Sequence, residues 1–160
     1  MTKNHVVLIE TVEDDLNTFF QFQLDKEARY LAAFTSKDPN DKAAYIEKYT
    51  KHLADPTITM RTIKVNEVIV GSIAKFLMEG EAEITYWIDR KFWGQGIATT
   101  ALNELLKIVE VRPVFGRVAS DNYGSQKVLE KCGFVKIGQD KGFANARQAE
   151  TEEFIYKLPG

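Results

Sequence analysis

The sequence predicts a mixed α/β (α+β) fold in which a mostly antiparallel, twisted sheet of about six or seven strands carries helices on both faces. Three observations indicate this class. One short strand precedes two or three helical segments, three strands then follow one another, and a strand–helix–strand unit over residues 83–119 requires a right-handed parallel crossover. Because a parallel pair inside an antiparallel sheet leaves two strands that can splay apart, we expect a ligand to enter between them.

The first third of the chain supplies one strand and the early helices. A β-branched run over residues 6–9 predicts the strand. Acidic residues at 13–15 favour a helix to about residue 24, since they complement the helix dipole, and residues 25–34 predict a second short helix. Asp38 as a cap with Pro39 at the first helical position predicts a third helix, which Asp55-Pro56 ends.

The hydrophobic period then changes from helical to alternating. Residues 58–65 and 68–76 alternate like strands, and the short Asn66-Glu67 turn between them predicts a hairpin. A second turn at Glu79-Gly80 leads into a third strand over residues 83–89. Three such strands predict an antiparallel meander.

The second half begins with a glycine turn, Gly94-Gln95-Gly96, followed by an amphipathic helix from Ile97 that Arg112-Pro113 stops. Residues 114–119 predict a strand, and residues 122–132 predict a helix that Gly133 ends. Two closing strands are predicted at residues 134–137 and 154–158. The polar, glycine-bearing segment 138–150 between these strands is interpreted as a mobile linker.

Composition excludes several classes of function. The chain has 160 residues, for which we expect one domain over residues 1–160, and its formal charge of −2 without charge blocks gives no reason to expect nucleic acid or a membrane as partner. The single cysteine, Cys132, fits a reducing compartment, and two distant histidines, His5 and His52, do not make a metal site. With no apolar core in residues 1–5 and no membrane-length apolar run, we expect a cytoplasmic protein, monomeric or homodimeric.

The glycine turn is the first candidate for a binding site. A strand-to-helix turn that bears glycines leaves backbone N–H groups free at the positive end of a helix, and these groups suit an anion such as a pyrophosphate. By itself the turn is weak evidence, because glycines also occur where a strand merely joins a helix.

Two segments together resemble a known family. Residues 93–99 are similar to the acyl-CoA signature [Q/R]-x-x-G-x-[G/A] of the GNAT acetyltransferases. Trp93 stands at its first position instead of Gln or Arg, a departure that recurs in the RimJ/RimL-like branch. The stretch from Asn122 to Phe134 resembles the N-x-x-S-x-x-x-L-E-K-x-G-F pattern of the RimJ/RimL-like branch at seven of thirteen positions. The matched residues are Asn122, Ser125, Leu129, Glu130, Lys131, Gly133 and Phe134. The resemblance covers essentially the whole chain and implies a GNAT-like fold.

The resemblance implies a site for acetyl-CoA as co-substrate, without a metal. Backbone N–H groups of the glycine turn and the following helix are expected to hold the pyrophosphate, and backbone groups of Trp87 and Ile88 are expected to pair with the pantetheine as another strand would. The cofactor-binding residues are therefore predicted to be Trp87, Ile88, Trp93, Gly94, Gln95, Gly96, Ile97, Ala98, Thr99, Asn122 and Ser125.

The catalytic residues are expected to be Ser125, Glu83 and Asn122. Many GNAT enzymes have a tyrosine acid at the position of Leu129, so Ser125 becomes the candidate donor of a proton to the departing thiolate. Asn122 is expected to hold the pantetheine or a water, to cap its helix, or both. Glu83 is the candidate acceptor, through water, of the proton that an ammonium group must lose before it attacks; a solvated surface acid is the alternative.

The acceptor site is predicted only by analogy with the family. Asp25, Arg29, Glu83 and Phe143 are its candidate residues, with surface loops as the alternative interpretation. The acceptor itself is a primary amine, either a protein N-terminus or a small molecule such as a polyamine, amino acid or antibiotic.

Three other functions compete with an N-acetyltransferase. A non-catalytic acyl-CoA-binding or regulatory domain is compatible with leucine at position 129. A dinucleotide-dependent oxidoreductase is disfavoured because Thr99 stands at the third glycine position of its fingerprint and the preceding strands are antiparallel. A P-loop nucleotidase lacks its G-K-[S/T] motif.

Overall fold

The computed structural model describes residues 5–160 of the chain. Its strands are β1 Val6–Glu10, β2 Thr59–Val65, β3 Val68–Met78, β4 Glu81–Ile88, β5 Val114–Ala119, β6 Val135–Ala144 and β7 Ala149–Leu158. Its helices are α1 Asp15–Gln23, α2 Lys26–Ala32, α3 Lys42–Ala54, α4 Ile97–Ile108 and α5 Tyr123–Lys131. The strands form one sheet in the order β1-β2-β3-β4-β5-β7-β6, in which only the β4–β5 pair is parallel. The predicted fold class is therefore confirmed.

The two predicted meander turns are present. Asn66 and Glu67 join β2 to β3 with φ of 50° and 71°, and Glu79 and Gly80 join β3 to β4 with φ of 52° and 82°. Two consecutive residues with positive φ are typical of hairpin turns whose twist matches that of the flanking strands. These turns set the register of β4, on which the candidate site is built.

Two sequence predictions were wrong. Helix α3 begins at Lys42, because Asp41 caps it by accepting the Ala44 N–H at 3.0 Å, whereas Asp38 accepts the Asn40 N–H in the preceding turn. Either aspartate can cap a helix, and Pro39 beside Asp38 favoured the wrong prediction.

The segment 138–150 is a hairpin rather than a mobile linker. Strands β6 and β7 pair from Val135↔Lys157 to Ala144↔Ala149, with an irregularity between Lys136 and Gly138. Strand β6 lies at the edge of the sheet and is largely exposed, so it carries the polar residues that are typical of loops.

The sheet carries a hydrophobic layer on each face. On one face, apolar side chains of α4, α5 and β4 belong to one buried cluster, which includes Leu105, Leu129, Ile84 and Ile88. On the other face, α1 and α3 pack on β2 and β3, with Leu16 at the centre of that layer. Successive side chains of β4 therefore point into two different environments.

Among residues 5–160, no helix has both the length and the apolar character that crossing a membrane requires. The expectation about the N-terminal segment concerns mainly residues 1–4, which lie outside the described residues.

Candidate active site

A gap opens between strands β4 and β5. The two strands pair only at Ala82↔Val114 and Glu83↔Phe115, near the start of each strand. On its other side, β4 stays paired with β3 as far as Gly71↔Ile88. Beyond Glu83, one edge of β4 thus has no neighbouring strand among residues 5–160, and its backbone groups face the gap.

The backbone groups on this edge belong to Tyr86 and Ile88. A Cβ on Gly71 would collide with the carbonyl oxygen of Trp87, which therefore points toward β3. The Asp89 N–H points the same way and donates to the Val70 carbonyl at 2.8 Å. Since backbone groups alternate between the two edges of a strand, those of Tyr86 and Ile88 face the gap. The backbone contact predicted for Trp87 is thus better matched by Tyr86.

Trp93 connects the open edge of β4 to the glycine turn. Its indole Nε1–H donates to the Ile88 carbonyl at 2.9 Å. Between them lies a short 3₁₀ turn, Arg90–Phe92, capped by Asp89. The turn that carries Gly94 and Gly96 is therefore tied to the strand edge that borders the gap.

The glycine turn forms a concave backbone surface at the start of α4. Gly94 and Gly96 have φ of +77° and +76°, which disfavours other residues, and a Cβ on either would meet no atom within 4 Å. Gly96 caps α4 without a side-chain hydrogen bond, and the first helical bond runs from the Thr100 N–H to the Gly96 carbonyl. The N–H groups of residues 97–99 therefore have no acceptor within the helix. They are available to an anion.

Tyr86 and Ser125 form a polar contact between β4 and α5. The Tyr86 hydroxyl donates to Ser125 Oγ at 2.8 Å. Burial raises the pKa of Tyr86 to about 12, so the phenol stays protonated at neutral pH. Tyr86 shares its face of β4 with Ile84 and Ile88, which pack against α4 and α5.

Asn122 holds the start of α5. Its Oδ1 accepts the Ser125 N–H at 3.3 Å, and its Nδ2 donates to the Leu31 carbonyl of α2 at 3.3 Å. The side chain is thus an N-cap that also joins α5 to α2, in line with the capping role considered for it. Its predicted contact with pantetheine or water stays a prediction.

Glu83 lies where β4 and β5 are still paired. It is 5% exposed, and Oε2 accepts from Arg117 Nε at 3.3 Å, while Arg117 Nη1 donates to Glu153 Oε1 at 3.0 Å. Burial raises the pKa of Glu83, and the Arg117 guanidinium opposes that rise. Glu83 is therefore not a solvated surface acid. Its carboxylate belongs to an ion-pair network that links β4, β5 and β7.

Helix α2 crosses the mouth of the gap. At its start, Asp25 Oδ2 and Glu27 Oε2 each accept from Arg90, which follows β4, at 2.6 Å. At its end, the Leu31 carbonyl accepts from Asn122, which follows β5. Asp25 also caps the helix by accepting N–H groups of residues 27 and 28. Asp25 thus helps to anchor α2 across the two diverging strands.

The other predicted acceptor residues have separate surroundings. Arg29 is half-buried in α2, and its side chain has neither hydrogen bond nor ion pair within residues 5–160. Phe143 is 58% exposed on edge strand β6. The neighbouring Arg147 is a structural anchor, because it forms two hydrogen bonds with Asp121, at 2.7 and 2.8 Å, and one with the Tyr30 carbonyl at 2.8 Å.

Sequence reasoning missed Tyr86 and Arg117. Tyr86 occupies an alternating strand position between two core isoleucines, so the pattern predicts a packing residue. Arg117 stands in an otherwise apolar strand, and a charge at such a position is the signal that could have indicated an ion-pair partner. Neither contact is readable from spacing, because Ser125 and Glu83 lie 39 and 34 residues away from their partners.

Comparison with protein families and curated proteins gives two matches. A model described as an acetyltransferase (GNAT) domain matches residues 5–135. A protein of Bacillus licheniformis named uncharacterized N-acetyltransferase p20 is 23% identical over 103 residues, which cover 60% of this chain. The aligned region spans 58% of that protein's length.

Solved structures share the fold at low sequence identity. Spermidine N-acetyltransferase from Vibrio cholerae, in complex with CoA and spermine, is similar with a TM-score of 0.81, 19% identity, and coverage of 96% of this chain and 95% of that chain. Mycobacterium smegmatis RimJ, in complex with CoA-disulfide, is similar with a TM-score of 0.78 and 19% identity, over 97% of this chain and 82% of that chain. The microcin C7 self-immunity acetyltransferase MccE, in complex with acetyl-CoA and AMP, is similar with a TM-score of 0.80 and 17% identity, over 97% of this chain and 92% of that chain.

Proposed function

The chain belongs to the GNAT acetyltransferase family, and from that premise we propose that it is an N-acetyltransferase that moves an acetyl group from acetyl-CoA to a primary amine. The observation that carries the proposal is the gap between β4 and β5. It has an open backbone edge, an anion-binding turn at one end and a pair of hydroxyl groups beside it.

The residues of the glycine turn fit the phosphates of acetyl-CoA. The free N–H groups at the start of α4 and the space beside Gly94 and Gly96 provide donors without a side chain in the way. We propose that Trp93, Gly94, Gln95, Gly96, Ile97, Ala98 and Thr99 hold the pyrophosphate end, and that the Tyr86–Ile88 edge of β4 holds the pantetheine. When bound, acetyl-CoA supplies an activated acyl group whose thiolate is a good leaving group.

Ser125 is the proposed proton donor on this chain. Ser125 Oγ lies 2.8 Å from the Tyr86 hydroxyl, and a hydroxyl group that accepts one hydrogen bond keeps its own proton for another partner. Tyr86 thus acts as a positioning residue for Ser125. Asn122 contributes by capping α5 and holding the Ser125 backbone.

The proton of the incoming ammonium group has two possible destinations. Glu83 has a raised pKa, which suits a base, but its carboxylate is bonded to Arg117 and lies about 13 Å along the strand from Trp87, at roughly 3.3 Å per residue. Direct contact with the amine is therefore disfavoured. We propose that water receives the proton and that Glu83 acts only through water.

Cellular location and assembly complete the proposal. A cytoplasmic location is supported by the single cysteine, Cys132, whose thiol lies within the fold and donates to the Thr99 carbonyl at 3.5 Å. For the assembly we propose a monomer or a homodimer.

A thiol-release assay tests the function. The protein is mixed with acetyl-CoA and a panel of primary amines, and free CoA and N-acetyl product are both quantified. The proposal expects CoA release that depends on the amine and matches the product in amount. Binding of acetyl-CoA without release on any amine would favour the non-catalytic acyl-CoA-binding alternative.

A further inference from the structure

Helix α2 bridges the gap on the face of the sheet opposite α4 and α5. On β5, Gly116 faces Leu129 of α5, so Ala119 points to the other face, where it belongs to one buried cluster with Ala33. Because α2 is bonded to Arg90 after β4 and ends beside β5, it spans both diverging strands. With Ser125 and the proposed pantetheine on the α5 side, the amine reaches the thioester from the α2 side, which we call the acceptor side.

The backbone is strained where α2 ends. Ala33, the C-cap residue, has φ of 64° and ψ of −62°, and the Phe34 N–H donates to the Ala32 carbonyl at 2.7 Å. These values define a γ-turn with positive φ, a conformation that is rare and strained for a residue with a Cβ. Ala33 is also fully buried. Such a conformation persists only where the surrounding structure holds it in place.

Contacts with the β6–β7 turn hold this end of the helix. The Ala33 carbonyl accepts the Ala146 N–H at 3.2 Å, and Asn145 Nδ2 donates to the Thr35 carbonyl at 2.7 Å. The bonds that α2 receives from Arg147 and from the start of α5 end on carbonyls two and three residues before Ala33. The C-terminal end of α2 is therefore fixed to the rest of the fold.

The start of α2 is held mainly by exposed charges. Asp25 and Glu27 form ion pairs with Arg90, whose side chain is 51% exposed. Exposed ion pairs contribute little stability, because water and salt screen them. Within Lys26–Ala32, only Ala28 is buried, and an element with so little buried apolar surface opens more readily than the core does. The two ends of α2 thus differ in how firmly they are held.

From these contacts we infer that α2 is a gate on the acceptor side, whose start swings away from Arg90 about a hinge at Ala33. Strain at Ala33 favours the open position, in which this residue can adopt an ordinary negative φ, and the ion pairs of Arg90 favour the closed position. Because a strained φ and exposed ion pairs have effects of similar size, both positions are populated. The gating role rests on the proposed acetyl transfer: the amine enters while α2 is open and is held while α2 is closed.

Distances between two spin labels test the gate without turnover. The labels replace Lys26, exposed at the start of α2, and Lys127, exposed on α5, in a Cys132→Ser background that leaves no other cysteine. The labelled protein is expected to give a shorter and a longer distance. Arg90→Gln is expected to raise the fraction of the longer distance about threefold, the effect of losing exposed ion pairs. Ala33→Gly, added to Arg90→Gln, is expected to lower that fraction, because glycine adopts a positive φ without strain.

A second label pair locates the hinge. Lys37 is exposed and follows Ala33 in the chain, so labels at Lys37 and Lys127 are expected to give one distance that Arg90→Gln leaves unchanged. If this pair broadens as much as the Lys26 pair does, the motion does not hinge at Ala33. A longer-distance fraction that Ala33→Gly leaves unchanged or raises would also contradict the hinge.

The outcomes for the gate and for the proposed function are separate. A single, equal Lys26–Lys127 distance with Arg90 and with Arg90→Gln would overturn the gate, even in a protein that acetylates amines. Two distances in a protein that acetylates no amine would remove the proposed function and leave only a moving helix. Where an amine is acetylated, adding it together with CoA is expected to shift the Lys26 pair toward the shorter distance, and no shift would contradict the gating role.

Discussion

The Tyr86 hydroxyl donates a 2.8 Å hydrogen bond to Ser125 Oγ, which joins strand β4 to helix α5 beside the gap between β4 and β5. The two residues are 39 positions apart in the chain. The contact fixes the position of Ser125 Oγ next to the Tyr86 hydroxyl. It links the strand that we propose to bind pantetheine with the residue that we propose to protonate the thiolate.

Tyr86→Phe tests this link by removing one hydroxyl group and keeping the ring. Loss of one hydrogen bond, about 1 kcal/mol, is expected to lower kcat roughly fivefold, with little change in the KM for acetyl-CoA. Ser125→Ala is expected to lower kcat further. If the two residues act as a unit, the double variant will be no slower than Ser125→Ala, whereas multiplied effects would contradict the positioning role.

Gly96→Glu tests the anion site in the glycine turn. A carboxylate beside the free N–H groups of α4 is expected to abolish acetyl-CoA binding, measured by calorimetry. Gly80→Glu is the matched control, because Gly80 also has positive φ and open space around it but lies in the β3–β4 turn. Equal affinities of the two variants for acetyl-CoA would refute the site.

Arg90→Gln tests whether α2 shapes the acceptor side. Without its bonds to Asp25 and Glu27, the start of α2 is released from the end of β4, so the KM for the amine is expected to rise several-fold while the Kd for acetyl-CoA stays unchanged. Lys51→Gln removes the exposed Lys51–Glu47 pair of α3 and serves as the control. An unchanged amine KM in the Arg90 variant would rule out this role.

Much of this arrangement follows from local sequence, because its causes are local. The hairpin turns, the strand after Pro113 and the glycine after α5 are each dictated by backbone preferences of a few residues. The β6–β7 hairpin was missed because an edge strand is polar for the same reason that a loop is: both face water.

The candidate site was less predictable because its contacts are long-range. Trp87 was expected to offer its backbone, but the register with Gly71 turns that backbone toward β3 and leaves Tyr86 facing the gap. Glu83 read as one acid in an acidic stretch, and only the parallel pairing of β4 with β5 brings it beside Arg117. Register and pairing of distant strands are not encoded in the spacing of any one segment.

Asp121→Asn tests the anchor between the β6–β7 turn and the start of α5. Hydrogen bonds from Arg147 lower the pKa of Asp121, despite partial burial, so the folded state favours the charged form. The pair then adds stability above the unfolded-state pKa and loses it as pH falls below about 4. At pH 7 we expect the free energy of unfolding of the variant to be about 1 kcal/mol lower than that of wild type. The difference is small because the aspartate is partly exposed.

Chemical denaturation across pH checks this expectation, with Glu150→Gln, an exposed carboxylate without an ion pair in residues 5–160, as the control. The difference between Asp121→Asn and wild type should shrink as pH drops through the carboxylate range. A difference that persists unchanged at the lowest pH would assign the effect to packing.

A crystal structure of the protein with CoA tests the central claim most directly. We expect the pyrophosphate on the backbone N–H groups that follow Gly94 and Gly96, the pantetheine along the Tyr86–Ile88 edge of β4, and the thiol close to Ser125 Oγ. CoA bound anywhere other than the gap between β4 and β5, or with its thiol on the far side of the sheet from Ser125, would contradict the account.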